Sequence, residues 1–152
     1  LESGETSKIK YHFARNHTED HILWMKNTPT GKSAFQNEVY YPKKRTGERI
    51  KGFLSTYKRM DWLKPSPTIT MRSDAISVQS NVHPGRKRKD GTYTDARVLT
   101  LLELFIVSSI PLSIEIDLEK YSNNFIRQII GEAVPPLMMK KIIQKIPEME
   151  AK

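Results

Sequence analysis

Asp95-Ala96-Arg97-Val98-Leu99-Thr100-Leu101-Leu102-Glu103, running on to Pro111, carries the clearest helix-start signal in the chain. Thr100 and Glu103 stand three apart and form a capping box. The hydroxyl accepts from the Glu103 amide while the carboxylate accepts from the Thr100 amide. Behind the cap, Leu101, Leu102, Leu104, Phe105, Ile106 and Val107 are apolar on every face. That pattern predicts a buried helix within residues 95–109, with Pro111 as its stop.

Outward from this stretch, composition sets the bounds. A chain of 152 residues holds one ordinary domain or two small ones. Hydrophobic residues at 38% and charged residues at 28% describe a globular chain rather than a disordered one. No apolar run approaches the ~20 residues of a membrane span, and no signal-peptide pattern opens the chain. The first residue is Leu1, which reads as a piece excised from something longer. Cysteine is absent, which excludes disulfides, thiolate metal sites and a cysteine nucleophile, and fits an intracellular setting. The net charge is +8, and it is concentrated in the middle: residues 41–97 hold 14 Lys and Arg against 5 acids. A basic middle between near-neutral ends is the electrostatic footprint of a polyanion binder, most readily nucleic acid.

Residues 1–20 read as a polar lead-in. His12, His17 and His21 lie close in sequence, but their spacing matches no zinc pattern, and no metal site is assigned. Ile22, Leu23, Trp24 and Met25 form the first apolar cluster. Thr28-Pro29-Thr30-Gly31-Lys32-Ser33 ends like a phosphate-binding loop, yet Lys26 occupies the place of the required earlier glycine, so a turn is expected there. Residues 40–70 read as short strands and loops, with Thr68-Ile69-Thr70-Met71 a β-branched strand and Phe53 and Trp62 in the core. Residues 73–95 are loop-like. Ser73, Gln79, Ser80 and Asn81 are candidate base readers, and Lys58, Arg59, Arg72, Arg86 and Arg88 are candidates for phosphate or guanine. Further on, residues 113–117 alternate like a strand, and Phe125, Ile126, Ile129 and Ile130 have helical spacing. Pro135 and Pro136 open a last helix, with Met138, Met139, Ile142, Ile143 and Ile146 on one face. Lys140, Lys141 and Lys145 take the other face, and Pro147 ends it.

Arg97, Leu99, Thr100, Glu103 and Pro111, followed by Gln128, Gly131, Ala133, Val134, Pro135 and Pro136, form an order that resembles the last two sequence motifs of the cytosine-5 DNA methyltransferases. Ile106 stands where that family commonly has Arg, Ser108-Ser109-Ile110 replaces the usual ending, and Glu132 stands where Asn is usual. The match is direct over roughly the last 55 residues and weaker upstream, through residues 64–70 and His83-Pro84.

The resemblance implies an α+β chain. A small, irregular β-rich target-recognition domain would occupy residues 1–94. A helical segment over 95–152 would follow and pack on a Rossmann-like α/β methyltransferase domain outside this chain. It also implies double-stranded DNA as a partner, a catalytic methyltransferase domain or subunit as another, and a bacterial-type, cytoplasmic, nucleoid-associated setting within restriction-modification. S-adenosylmethionine would be the cofactor, bound mainly by that catalytic domain, with Gly131, Glu132, Ala133 and Val134 as the edge lying beside it. Arg97, Thr100 and Glu103 would be structural, Arg97 tying the helix start to the recognition domain.

The family's reaction needs a cysteine thiolate from a Pro-Cys motif and a Glu from a Glu-Asn-Val motif, acting on a base flipped out of the helix. This chain has neither motif, so no catalytic residue is assigned and it is expected to be inactive alone. Three other readings stay open at this point: the small subunit of a split enzyme, a free-standing DNA-binding or regulatory module, and an RNA-binding protein.

Overall fold

The computed structural model describes residues 1–150, with side chains through residue 146. Four helices punctuate a mostly irregular chain: α1 (Glu19–Lys26), α2 (Leu101–Val107), α3 (Asn123–Glu132) and α4 (Pro136–Glu150). A 3-10 turn at Ala34–Gln36 joins them.

The expected β-rich recognition domain is not there. Among the described residues there is no β-strand, only isolated bridges such as Ser33 to Lys58, Arg59 to Val82 and Val82 to Val98. The reason lies in how often the chain turns. Tyr57, Ser80 and Asp95 adopt positive φ, and prolines at 65, 67 and 84 withhold amides, so no pairing extends past one residue pair. Residues 68–71 end in a turn, with the Ser73 amide donating to the Thr70 carbonyl. Residues 113–117 form no strand either; the Ile116 amide donates instead to the Tyr11 hydroxyl at 2.8 Å.

Buried guanidinium groups do much of what a sheet ladder would otherwise do. Arg59 donates from Nε and Nη2 to the Met25 carbonyl and from Nη1 to the carbonyls of His83 and Asp95. Arg127 donates to the Ser73 and Leu99 carbonyls at 3.0 and 2.7 Å. Arg97 holds the Leu1 carbonyl and both oxygens of Glu103. Each planar fork satisfies carbonyls from segments far apart in sequence, which irregular backbone cannot do for itself. Burial pulls the Arg59 and Arg127 guanidinium groups down to about 10, still charged at neutral pH.

Two apolar cores flank this framework. One gathers Tyr11, Met60, Leu99, Leu101, Leu104, Phe105, Ile126 and Ile130; the other gathers Trp24, Met25, Ala34, Ile76, Val82, Ala96 and Val98. The stretch that opens α2 feeds both, with Ala96 and Val98 turned to the second core and Leu99 and Leu101 to the first. Each core draws on residues from both sides of position 95.

The capping box forms between the two residues expected: the Glu103 amide donates to Thr100 Oγ1 at 3.3 Å, and the Thr100 amide donates to Glu103 Oε2 at 2.7 Å. Yet α2 ends at Val107, short of Pro111, and it is buried on one face only. Leu101, Leu104 and Phe105 are enclosed while Ile106 is 58% exposed. The enclosed face packs on α3, Tyr11 and Met60, while among the described residues Ile106 and Val107 on the other side are largely open to solvent. α3 starts at Asn123 behind the Ser122 cap and runs through Gly131 to Glu132. α4 does not stop at Pro147 but continues to Glu150. Phe53 and Trp62, expected in the core, are 81% and 54% exposed.

Candidate nucleic-acid interface

The basic run Arg86-Lys87-Arg88-Lys89 sits on a hairpin-like excursion over residues 86–94. Lys87 bridges Tyr93, the Arg88 amide donates to the Thr92 carbonyl at 2.7 Å, and the Gly91 amide closes the turn on the Arg88 carbonyl. Gly85 launches it with φ +66°, and a Cβ there would stand 2.5 Å from both Arg59 Nη1 and the Thr94 carbonyl oxygen. Only glycine fits that approach. All four cations are exposed. Arg86 lies 5.6 Å from the centre of the Trp62 ring, and Arg88 pairs with Glu2.

The other candidate residues divide by where they point. Arg59 faces the interior, fully buried, with four of its five N–H donors on the carbonyls of Met25, His83 and Asp95, so it does not reach phosphate. Ser73 and Asn81 are also buried; Asn81 donates to the Ala75 carbonyl, while Ser73 Oγ and Asn81 Oδ1 have no protein partner. Ser80 is half-buried with its hydroxyl on the Ser55 carbonyl, and Lys58 is half-buried. Gln79 and Arg72 are exposed, but Arg72 pairs with Asp74 in a hollow shared with Asn124 and Gln128 of α3. Of the nine, only Arg86 and Arg88 are gathered on one exposed basic turn.

A second exposed basic excursion carries none of those candidates, although its charge run is plain in the sequence. Residues 42–50 fold back through a Lys43 to Arg49 bridge, with the Gly47 amide on the Lys44 carbonyl. Lys43, Lys44 and Arg45 are exposed, and Arg49 anchors the base by donating to the Phe35 and Asn37 carbonyls.

Beside the basic surface lies a cluster of carboxylates and imidazoles around the α2 cap. Burial would raise the Glu103 carboxyl, but the Arg97 guanidinium and the Thr100 amide outweigh it and hold it at about 2. Burial pushes His83 and His17 down to about 4, so both rings are neutral at pH 7. The approaches of His83 to Asp95 and Glu103, both 3.8 Å, are therefore not ion pairs at that pH. His12, His17 and His21 are not brought into a metal-binding group, and among the described residues there is none.

At the other end, Gly131 packs against the Thr70–Met71 backbone, while Glu132, Ala133 and Val134 are exposed. Glu132 accepts from the Gln128 side-chain amide at 3.3 Å. These four residues form an edge, not an enclosure. A ligand bearing an adenine, a ribose and a charged amino acid would find one carboxylate and two small apolar side chains here. Ala133 borders an apolar groove of about 640 Å³, walled by Phe105, Ile110, Phe125 and Ile129. Ile106 and Val107 of α2 are open to solvent, and so are Leu137, Met138, Ile142, Ile143 and Ile146 of α4.

The family model described as C-5 cytosine-specific DNA methylase matches residues 1–148. The chain belongs to that family. The stretches Arg97–Pro111 and Gln128–Pro136, which resemble the family's last two motifs, fall on α2 and on the α3–α4 junction. Among curated relatives, the chain is 54% identical over 146 residues to "Type II methyltransferase M1.HgaI" of Avibacterium volantium, covering 96% of this chain and 41% of that protein. It is 30% identical over 114 residues to "Type II methyltransferase M.AquIB" of Picosynechococcus sp., covering 68% of this chain and 71% of that one. The chain thus spans about two fifths of M1.HgaI. No solved structure matches it. Among the described residues, no helix is long and apolar enough to cross a membrane.

Proposed function

We propose that this chain is the target-recognition and C-terminal part of a DNA cytosine-5 methyltransferase and is inactive by itself. It binds duplex DNA through its exposed basic turns and docks on a catalytic domain that carries the cysteine and most of the S-adenosylmethionine site. The observation that carries this reading is the open apolar surface of α2, α3 and α4, in a methylase-family chain with no cysteine. So much clustered apolar surface marks an interface rather than a finished exterior. The edge Gly131 to Val134 borders that surface and would meet the cofactor from the side of the catalytic domain. Recognition would rest mainly with residues 1–94, which carry both basic excursions.

Mixing this chain with a separately produced catalytic domain tests the reading, with tritiated methyl transfer to DNA as readout. Transfer is expected from the mixture and from neither part alone. Transfer by this chain alone, or none from the mixture, overturns it.

A narrower form of this reading makes the chain the small subunit of a split enzyme. Co-purification with a separately encoded catalytic chain separates the two forms.

A further inference from the structure

We propose that Trp62, braced by Arg86, is a stacking platform for a nucleobase displaced from the duplex. The proposal rests on the DNA-binding reading above and adds a residue that reading does not use.

Trp62 is exposed by 54% although its one polar atom is already satisfied: the indole N–H donates to the Gly85 carbonyl at 2.7 Å. The ring is held edge-to-face against His83, with centroids 5.5 Å apart at 83°, so its orientation is set from below. About half of the residue remains open to solvent. The Arg86 guanidinium lies 5.6 Å from the ring centre, and Lys87 shares the hollow of about 520 Å³ on that side. On the other side a second hollow runs from Trp62 past Lys64 to Ile106 and Val107 of α2. Trp62 therefore stands as the wall between a cationic hollow and the apolar face offered to the catalytic domain.

An apolar protein partner would find cations crowding the ring, whereas a polyanion bearing flat bases finds both of its complements. Bases stack on exposed aromatic faces with little sequence preference, and arginine reinforces the contact. A paired duplex shows only base edges, so the platform takes a base that has left the helix. Enzymes that act on a base within duplex DNA create such unstacked nucleotides.

The test compares a duplex carrying a single-nucleotide bulge with its fully paired counterpart, using this chain at low salt. The chain has two tryptophans, and Trp24 is buried, so the emission that disappears in Trp62→Phe reports on Trp62. The bulged duplex is expected to bind about tenfold tighter and to quench that emission. Trp62→Ala should abolish the preference, and Trp62→Phe, which keeps an aromatic face, should retain most of it. Equal affinity with unmoved emission overturns the platform while leaving DNA binding intact. A Trp62 response to the catalytic domain without DNA also overturns it, by assigning the ring to a protein interface. If neither duplex binds, the DNA-binding reading fails together with it.

Discussion

Gly131 of α3 lies against the backbone of Met71: a Cβ at that position would stand 2.3 Å from the Met71 amide nitrogen and 2.4 Å from the Thr70 carbonyl carbon. This glycine is thus the point where α3 closes on the segment that follows Thr68-Ile69. Its lack of a side chain is a packing requirement, since the obstacle is backbone and cannot rotate away.

Gly131→Ala should therefore destabilise the fold by about 1–3 kcal/mol through overpacking. In an open helix the same change would stabilise by about 1 kcal/mol. Thermal unfolding followed by circular dichroism decides the sign, and a melting temperature at or above the parent's would show that α3 does not press on Met71.

Arg97→Ala should cost about 3–5 kcal/mol, because it leaves the half-buried Glu103 and Asp95 carboxylates without their shared cation. Glu103 also holds the α2 cap, so the loss should spread to Leu101 and Leu104. Urea denaturation measures it; a change under about 1 kcal/mol would mean that solvent replaces the guanidinium.

Replacing Arg86, Lys87, Arg88 and Lys89 together by alanine should weaken DNA binding on every sequence alike. The slope of log affinity against log salt should become shallower by about 0.9 for each phosphate that is no longer neutralised. Arg72→Ala should change it less, since Arg72 pairs with Asp74 beside α3. Titrations at several salt concentrations compare the two, and equal slopes for parent and quadruple variant would remove the turn from the interface.

Stability should fall on acidification in two stages. His17 and His83 bind protons in the unfolded chain near 6.5 but only near 4 when folded, so the unfolded state gains protons first between those values. Glu103, lowered from 4.5 to about 2, contributes stability that is present above 4.5 and fades as pH falls toward 2. Melting temperatures from about pH 8 to 3 should hold above about 6.5 and drop by several degrees below it. The double variant His17→Gln, His83→Gln should flatten the upper stage; a drop of the same size in that variant would place the cause elsewhere.

Local chemistry was legible in the residues. Thr100 and Glu103 cap α2 because both partners lie within one turn. The motif order around Arg97 and Gly131 placed the chain among the methylases before any fold was known. The expectation of a β-rich module failed on longer-range grounds. Short β-branched runs such as Thr68 to Met71 form strands only when another run lies alongside, and this chain turns too often to present one.

Side-chain direction was the part that only the tertiary structure decided. Arg59 and Arg86 are the same residue type in the same basic stretch, yet one is enclosed by the carbonyls of Met25, His83 and Asp95 and the other lies open beside an indole. Trp62 reads as a core residue in sequence and stands at the surface, its N–H held by the Gly85 carbonyl and about half of its surface uncovered by any other segment. The sequence by itself determined caps, turns, charge and family, because those depend on neighbours along the chain. Exposure depends on which distant segments arrive across from a residue, and here buried guanidinium groups bring those segments together.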